Sequence, residues 1–129
     1  MKKSRKQTVR RLDTVFSLYI RLRHANDEIV ECYTCGKKSH FQKGMQCGHF
    51  QSRKNYATRW DPLNCMVQCY GCNIMKHGEQ YKFGLKLDKD FGDGTAEKLL
   101  IKSKQIVKFS NEDLESLITY YNIIVNKLM

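Results

Sequence analysis

Apolar residues recur at helical spacing towards both ends of the chain and give way to short strand-like patterns between them. From Lys6 to about His24 they fall at Val9, Leu12, Val15, Phe16, Tyr19, Ile20 and Leu22, one broad apolar face that predicts a first helix. Asn26 and Asp27 stop it, and Glu28-Ile29-Val30-Glu31 alternates into Cys32 as a short strand. A tight turn closes at Gly36, and a second strand pattern around Met45 to Gln51 carries Gly48-His49-Phe50. The polar stretch Ser52-Arg53-Lys54-Asn55 reads as a loop, Pro62 marks a turn, and a short helix from Asn73 to His77 is predicted before Gly78. Tyr81, Phe83, Leu85 and Leu87 belong to a further helix ending near Phe91-Gly92, and Thr95 is expected to cap another through about Gln105. Ser110 caps the last helix, whose buried stripe is Leu114, Leu117, Ile118, Tyr121, Ile124, Val125 and Leu128. With no repeat and no low-complexity linker, the pattern describes a single domain over 1–129: a basic N-terminal helix (1–27), a central core (28–78) and C-terminal helices (79–129).

Charge narrows the class of partner. Lys and Arg number 23 against 13 Asp and Glu, a formal charge of +10 that favours a polyanion. No run of roughly 18 apolar residues is present to span a membrane, and no apolar export segment follows the basic start Met1-Lys2-Lys3-Ser4-Arg5-Lys6. The expectation is a cytoplasmic protein that meets nucleic acid and no membrane. Arg10, Arg11, Arg21 and Arg23 form the polar face of the first helix, which is either solvated or, with Lys2, Lys3, Arg5 and Lys6, an arm for phosphates.

Six cysteines then change the picture. Cys32 and Cys35, and again Cys69 and Cys72, stand as Cys-x-x-Cys pairs. Two such knuckles can close a tetrahedral shell of thiolates around one Zn2+ with no position left for water, a structural site. Disulfides or thioredoxin-like redox pairs are the alternatives, disfavoured by the compartment and by the repetition of the motif. Cys47 and Cys65 remain, read as small buried hydrophobes.

Between the knuckles lies a strand-borne histidine, His49, and the second knuckle runs directly into Asn73, giving the order Cys-x-x-Cys, His, Asn, Cys-x-x-Cys-Asn. That order resembles the HNH, or ββα-metal, nucleases, and the stretch DPLNCMVQCYGCNIMK from Asp61 to Lys76 is similar to the second half of their motif. The zinc spacing is also similar to that of phage endonuclease VII. Gly48-His49-Phe50 with Ser52-Arg53, Arg59-Trp60-Asp61-Pro62-x-Asn64, Gln68-Cys69-x-x-Cys72-Asn73, Gly78 and Tyr81 resembles the NinG/Rap family of phage recombination nucleases over residues 28–100. The fold so implied is α+β and mostly helical, a zinc-stapled ββα-metal (HNH) core flanked by helices.

The resemblance implies His49 as general base, Asn64 as the asparagine that holds the loop, and Asn73 as a ligand of a catalytic Mg2+ or Mn2+. His77, four residues after Asn73, is a second candidate ligand if both lie on one helical face; a helix-end histidine bonded to carbonyls is the alternative. Asp61, Glu79 and Cys47 are weaker candidates. Gly48 departs from the many HNH enzymes that carry an aspartate ligand before the histidine. Arg53, Lys54, Arg59 and Lys76 are the expected phosphate contacts. The implied substrate is branched DNA such as a Holliday junction, met by a homodimer in a bacterial host cell. A non-catalytic zinc module that binds DNA and a structure-independent HNH nicking enzyme are the competing functions.

Overall fold

The structure, a computed structural model, describes residues 4–129. Lys2 and Lys3 of the expected basic arm lie outside the described residues. Elements follow in the order α1 (Arg5–Leu22), β1 (Ile29–Glu31), β2 (Lys38–His40), β3 (Met45–His49), α2 (Tyr56–Arg59), a 3-10 turn (Pro62–Asn64), β4 (Cys65–Cys69), a π turn (Gly71–Met75), α3 (Gln80–Phe91), α4 (Thr95–Ser103) and α5 (Asn111–Leu128). The class is α+β, more than half helical with two small sheets.

The long terminal helices form the main core. Each starts with a capping box: Ser4 with Gln7 for α1, and Ser110 with Asp113 for α5. Their contacts advance together, from Arg5 with Asn111 through Arg11 with Glu115 to Phe16 and Tyr19 against Tyr121, so the two helices run parallel. Leu12, Phe16, Ile20 and Leu114 are fully or almost fully buried. At about 1.5–3 kcal/mol for each such side chain, this helix pair is a principal source of stability. A smaller cluster of Met66, Phe83, Leu87 and Leu99 packs under α3 and α4.

Both sheets are two-stranded and antiparallel. In the first, Ile29 pairs with His40, Val30 with Ser39 and Glu31 with Lys38, so the loop between β1 and β2 is the first knuckle. In the second, Met45 pairs with Cys69 and His49 with Cys65, leaving residues 50–64 as a long loop spanned by α2 and the 3-10 turn. β4 is buried along its whole length and shows no alternation to read.

Three expectations need correction. Residues 73–77 do not form an α-helix. The second knuckle continues as a single π turn, and His77, Gly78 and Glu79 then take φ of 54°, 88° and 48° in succession. Thr95 is the first residue of α4 rather than its cap; Gly94 is the cap, and the Thr95 hydroxyl donates to Gly92 O. Arg21 and Arg23 are neither solvated nor phosphate-ready: Arg21 donates to Phe41 O, and Arg23 to Pro62 O and Cys65 O. The helix expected to carry Tyr81, Phe83, Leu85 and Leu87 is α3, with Phe83 and Leu87 buried and Tyr81 and Leu85 facing solvent.

One ion pair fastens the long loop to α1. Asp13 takes both Nε and Nη2 of Arg59, at 3.1 and 2.6 Å, and also accepts from Trp60 Nε1 at 2.9 Å. The two side chains are only 15% and 22% exposed. Asp13→Ala strands the guanidinium and the indole N–H together, and a loss of about 2–3 kcal/mol is expected, less than for a fully buried pair. Chemical denaturation of the two proteins checks it; an unchanged midpoint would show that the pair does not hold the loop.

Candidate functional site

A cleft of about 740 Å³ opens where the end of β3, the long loop and the π turn meet. Its lining includes Cys47, His49, Arg53, Lys54, Arg59, Asn73, His77 and Gln80. Among the described residues no carboxylate lines it, so its charge is positive. Such a wall suits an anion with several oxygens better than a lone cation.

His49 is fixed at the mouth of the loop. Its Nε2 lies 2.9 Å from Arg59 O. A carbonyl oxygen can only accept, so Nε2 carries the proton and Nδ1 is the basic atom of the ring. Burial lowers the His49 pKa from 6.5. The Arg59 carbonyl and Asp13 oppose that shift, and the charges of Arg53 and Arg59 reinforce it. The ring is therefore neutral at pH 7.

Asn64 is fully buried and bonds the loop from inside. Its Nδ2 donates to Gln51 O and Thr58 O, and its Oδ1 accepts from Gln51 N at 2.8 Å. Asn73 stands across the cleft on the π turn, with Nδ2 donating to Gln46 Oε1 at 2.7 Å. No described residue donates to its Oδ1, which leaves that oxygen free for a ligand. His77 also lines the cleft, presented by the left-handed turn rather than by a shared helical face. Gly78 N donates to Cys72 O, and Gly78 O accepts from Gln68 Nε2, so neighbours hold the strained backbone in place.

Gly48 has a steric reason. A Cβ there would lie 2.0 Å from Oε1 of Gln68, a fully buried side chain held by Thr34 Oγ1 and Gly78 O. An aspartate in this place has no room, so the strand offers no acidic ligand here.

The second cluster is the thiol tetrad. Cys32, Cys35, Cys69 and Cys72 place their sulfurs within 4.8 Å of one another, with Cys35 and Cys69 at 3.7 Å. The edge of a tetrahedron with Zn–S bonds of 2.3 Å is about 3.8 Å. Cys72 N points to Cys69 Sγ at 3.4 Å, and the first knuckle turns back through Gly36 at φ 81°. Burial pushes the Cys72 thiol up to about 12. Burial also acts to raise Cys32, yet donors from Cys69, Thr34 and Cys35 bring it down to about 6. A divalent cation is what lets all four ionise together. The set is positioned to bind a metal such as zinc.

A family model described as Bacteriophage Lambda NinG protein matches residues 1–129. The chain belongs to the NinG family. No curated protein and no solved structure matches it. The NinG match takes in the first and last helices, which carry none of the motif residues.

Of the phosphate contacts expected in this NinG-family chain, Arg53 and Lys54 are exposed on the cleft. Arg59 lines it, but its guanidinium is committed to Asp13 and Arg53 O, so that expectation is corrected to a structural role. Lys76 is exposed on the π turn outside the cleft lining. Of the weaker candidates, Asp61 caps the 3-10 turn and pairs with Lys102, and Glu79 pairs with Lys82. His40 sits on β2 beside Glu28. Sequence reasoning missed Asp13, Gln46 and Gln80, and gave Gln68 only as a motif residue without a role. Only Asp13 carried a signal, as the single acid of a strongly basic helix.

Burial also pushes the Cys65 thiol well up, helped by the nearby Cys47. Removing the tetrad's metal with a strong chelator, or making Cys69→Ser, is expected to abolish cooperative unfolding. Structural zinc contributes about 10–16 kcal/mol, comparable with or above the ~5–15 kcal/mol that stabilises a whole domain. Zinc content by mass spectrometry alongside thermal melts tests this; a zinc-free, fully reduced protein that still melts cooperatively would overturn the assignment.

Proposed function

We propose that this NinG-family protein is a metal-dependent HNH-type endonuclease that hydrolyses phosphodiesters in branched DNA, in keeping with phage recombination. The observation that carries the reading is the tautomer of His49. Its Nε2–H is held by Arg59 O inside a basic, carboxylate-free cleft that also contains the free Oδ1 of Asn73. A neutral imidazole with one nitrogen anchored and the other unprotonated is the arrangement a general base needs.

In this reading the strand, long loop, strand and π turn form the ββα-metal core. Arg53 and Lys54 draw the DNA backbone into the cleft, and Nδ1 of His49 takes a proton from the attacking water. The Arg59 carbonyl keeps the ring from turning and stabilises the imidazolium as it forms. Asn64 sets the loop that carries this carbonyl. Asn73 Oδ1, with His77, would hold Mg2+ or Mn2+, whose contribution is to offset charge on the phosphoryl and leaving oxygens. The donor set fits a hard cation that keeps waters and takes oxygens from the phosphate. A two-fold dimer would present two such clefts to a four-way junction.

The competing reading is a zinc module that binds DNA without cleaving it. It has the same use for Arg53 and Lys54 and none for the anchored imidazole. His49→Ala separates the two: cleavage of a labelled four-way junction is expected to fall about 100- to 10,000-fold while the fold, tetrad zinc and junction binding persist. Asn73→Ala is expected to lose cleavage but recover part of it at raised Mg2+ or Mn2+. Equal cleavage by wild type and His49→Ala would remove His49 as the base.

The pH profile follows from the lowered His49 pKa. A base works when unprotonated, so cleavage rises with pH through that pKa and is lost as the ring protonates. The acid limb of kcat/KM is therefore expected below the 6.5 of an unperturbed histidine. A limb at or above 6.5 would contradict the environment described for this ring.

A further inference from the structure

Cys47 and Cys65 are not used by the tetrad or by the proposed chemistry, yet both stand beside His49. Cys47 and His49 are two apart on β3, on one face of the hairpin, and Cys65 on β4 is the cross-strand partner of His49. The two sulfurs and a ring nitrogen of His49 lie within 4.8 Å of one another. Among the described residues only two groups of three or more His, Cys, Asp and Glu side chains come that close, the other being the thiol tetrad.

We propose that Cys47, His49 and Cys65 form a second metal site, for a soft thiophilic divalent cation such as Zn2+, and that filling it removes the basic lone pair of His49. The switching role rests on the nuclease reading; the metal site does not.

The donor set selects the ion. Two thiolates and an imidazole favour Zn2+ over Mg2+ or Mn2+, which prefer oxygen. Bonds of about 2.3 Å to sulfur and 2.0–2.1 Å to nitrogen require ligand separations of about 3.5–3.8 Å, so the three atoms need to close by no more than about 1.3 Å. Entry is through the cleft, which Cys47 and His49 line, and its open side leaves a fourth position for water. Cys65 is fully buried and supplies the inner ligand. Burial and the neighbouring Cys47 keep the Cys65 sulfur protonated and the Arg23 charge opposes them, so its ionisation comes with metal binding. Binding releases the two thiol protons to solvent and leaves the neutral imidazole as the third ligand.

The consequence for His49 is the same whichever nitrogen binds. If Nδ1 is the ligand, its lone pair is donated to the metal. If Nε2 is the ligand, it gives up the Arg59 carbonyl, the ring proton moves to Nδ1, and Nδ1 is no longer basic. A soft cation at this place therefore opposes a hard cation held by Asn73.

The test is made on the full chain with its tetrad zinc in place, using Zn2+ as the probe. Native mass spectrometry and zinc titration are expected to show two zinc ions per chain for wild type. Cys47→Ala should keep one and bind the second at least about tenfold more weakly. Because Cys65→Ala removes a buried side chain, the imidazole nitrogen shifts of wild-type His49, followed by NMR during the titration, provide a readout that needs no variant. They should move to metal-bound values with the second zinc. A single zinc per chain, or a second zinc that leaves the His49 shifts unchanged, overturns the proposal. In the cleavage assay at fixed Mg2+, added Zn2+ should inhibit wild type, and Cys47→Ala should need at least about tenfold more. Equal inhibition of both would overturn the switching role. A protein that takes up the second zinc at His49 but cleaves no DNA under any metal would refute the nuclease reading and leave the metal site standing.

Discussion

Four thiolates meeting at one point is the constraint on which the centre of the molecule depends. The first pair rides on the loop of the β1–β2 hairpin, and the second pair brackets the end of β4 and the start of the π turn. Strands of three and five residues do not hold themselves in water, and a two-stranded hairpin is marginal alone. A cation shared by both knuckles would make the two hairpins one unit. The tetrad also fixes the π turn, because Cys72 belongs to it and stands directly before Asn73. The cleft is thus positioned from the tetrad outwards, one residue beyond the metal shell.

A second line of fixation reaches the cleft from the opposite side. Asp13 on α1 holds the side chains of Arg59 and Trp60, and the carbonyl of Arg59 holds His49. Trp60 in turn packs against Phe109, just before α5, with ring centroids 5.3 Å apart. The parallel pair α1 and α5 is therefore more than ballast: it supports the loop that orients the imidazole. This gives a physical reason for a family likeness that extends over the terminal helices, although they carry no metal-binding motif.

Legibility in the sequence tracked the range of the interaction. The terminal helices were readable because 18-residue amphipathic periods and, for α5, the Ser110 cap are local signals. The tetrad was readable because knuckle spacing is local as well. β4 was not, since a strand buried on every side has no alternation. The α-helix expected over 73–77 failed because a π turn and three successive left-handed residues serve distant partners, among them the Gln68 amide that grips Gly78 O. Arg59 looked like a phosphate contact because its neighbours Arg53 and Lys54 are exposed; its partner Asp13 is 46 residues away. Long-range polar pairing of this kind leaves no periodicity behind.

The absence of a carboxylate from the cleft lining among the described residues has the widest consequence. Gln68 fills the space above Gly48, so the strand cannot offer the acidic ligand that would make a strong site for a hard cation. In place of such a ligand the walls carry Arg53 and Lys54, whose charge repels a free divalent ion and attracts phosphate. On the proposed reading, metal and substrate then bind as a pair. On that reading the phosphate oxygens would complete the shell of a cation held by Asn73 and His77, which would offset phosphate charge. The cleavage chemistry would then be assembled only when DNA is present. Thiophilic ions are a different case on the proposed second site, because Cys47 and the buried Cys65 offer soft sulfur donors that ionise as the metal binds.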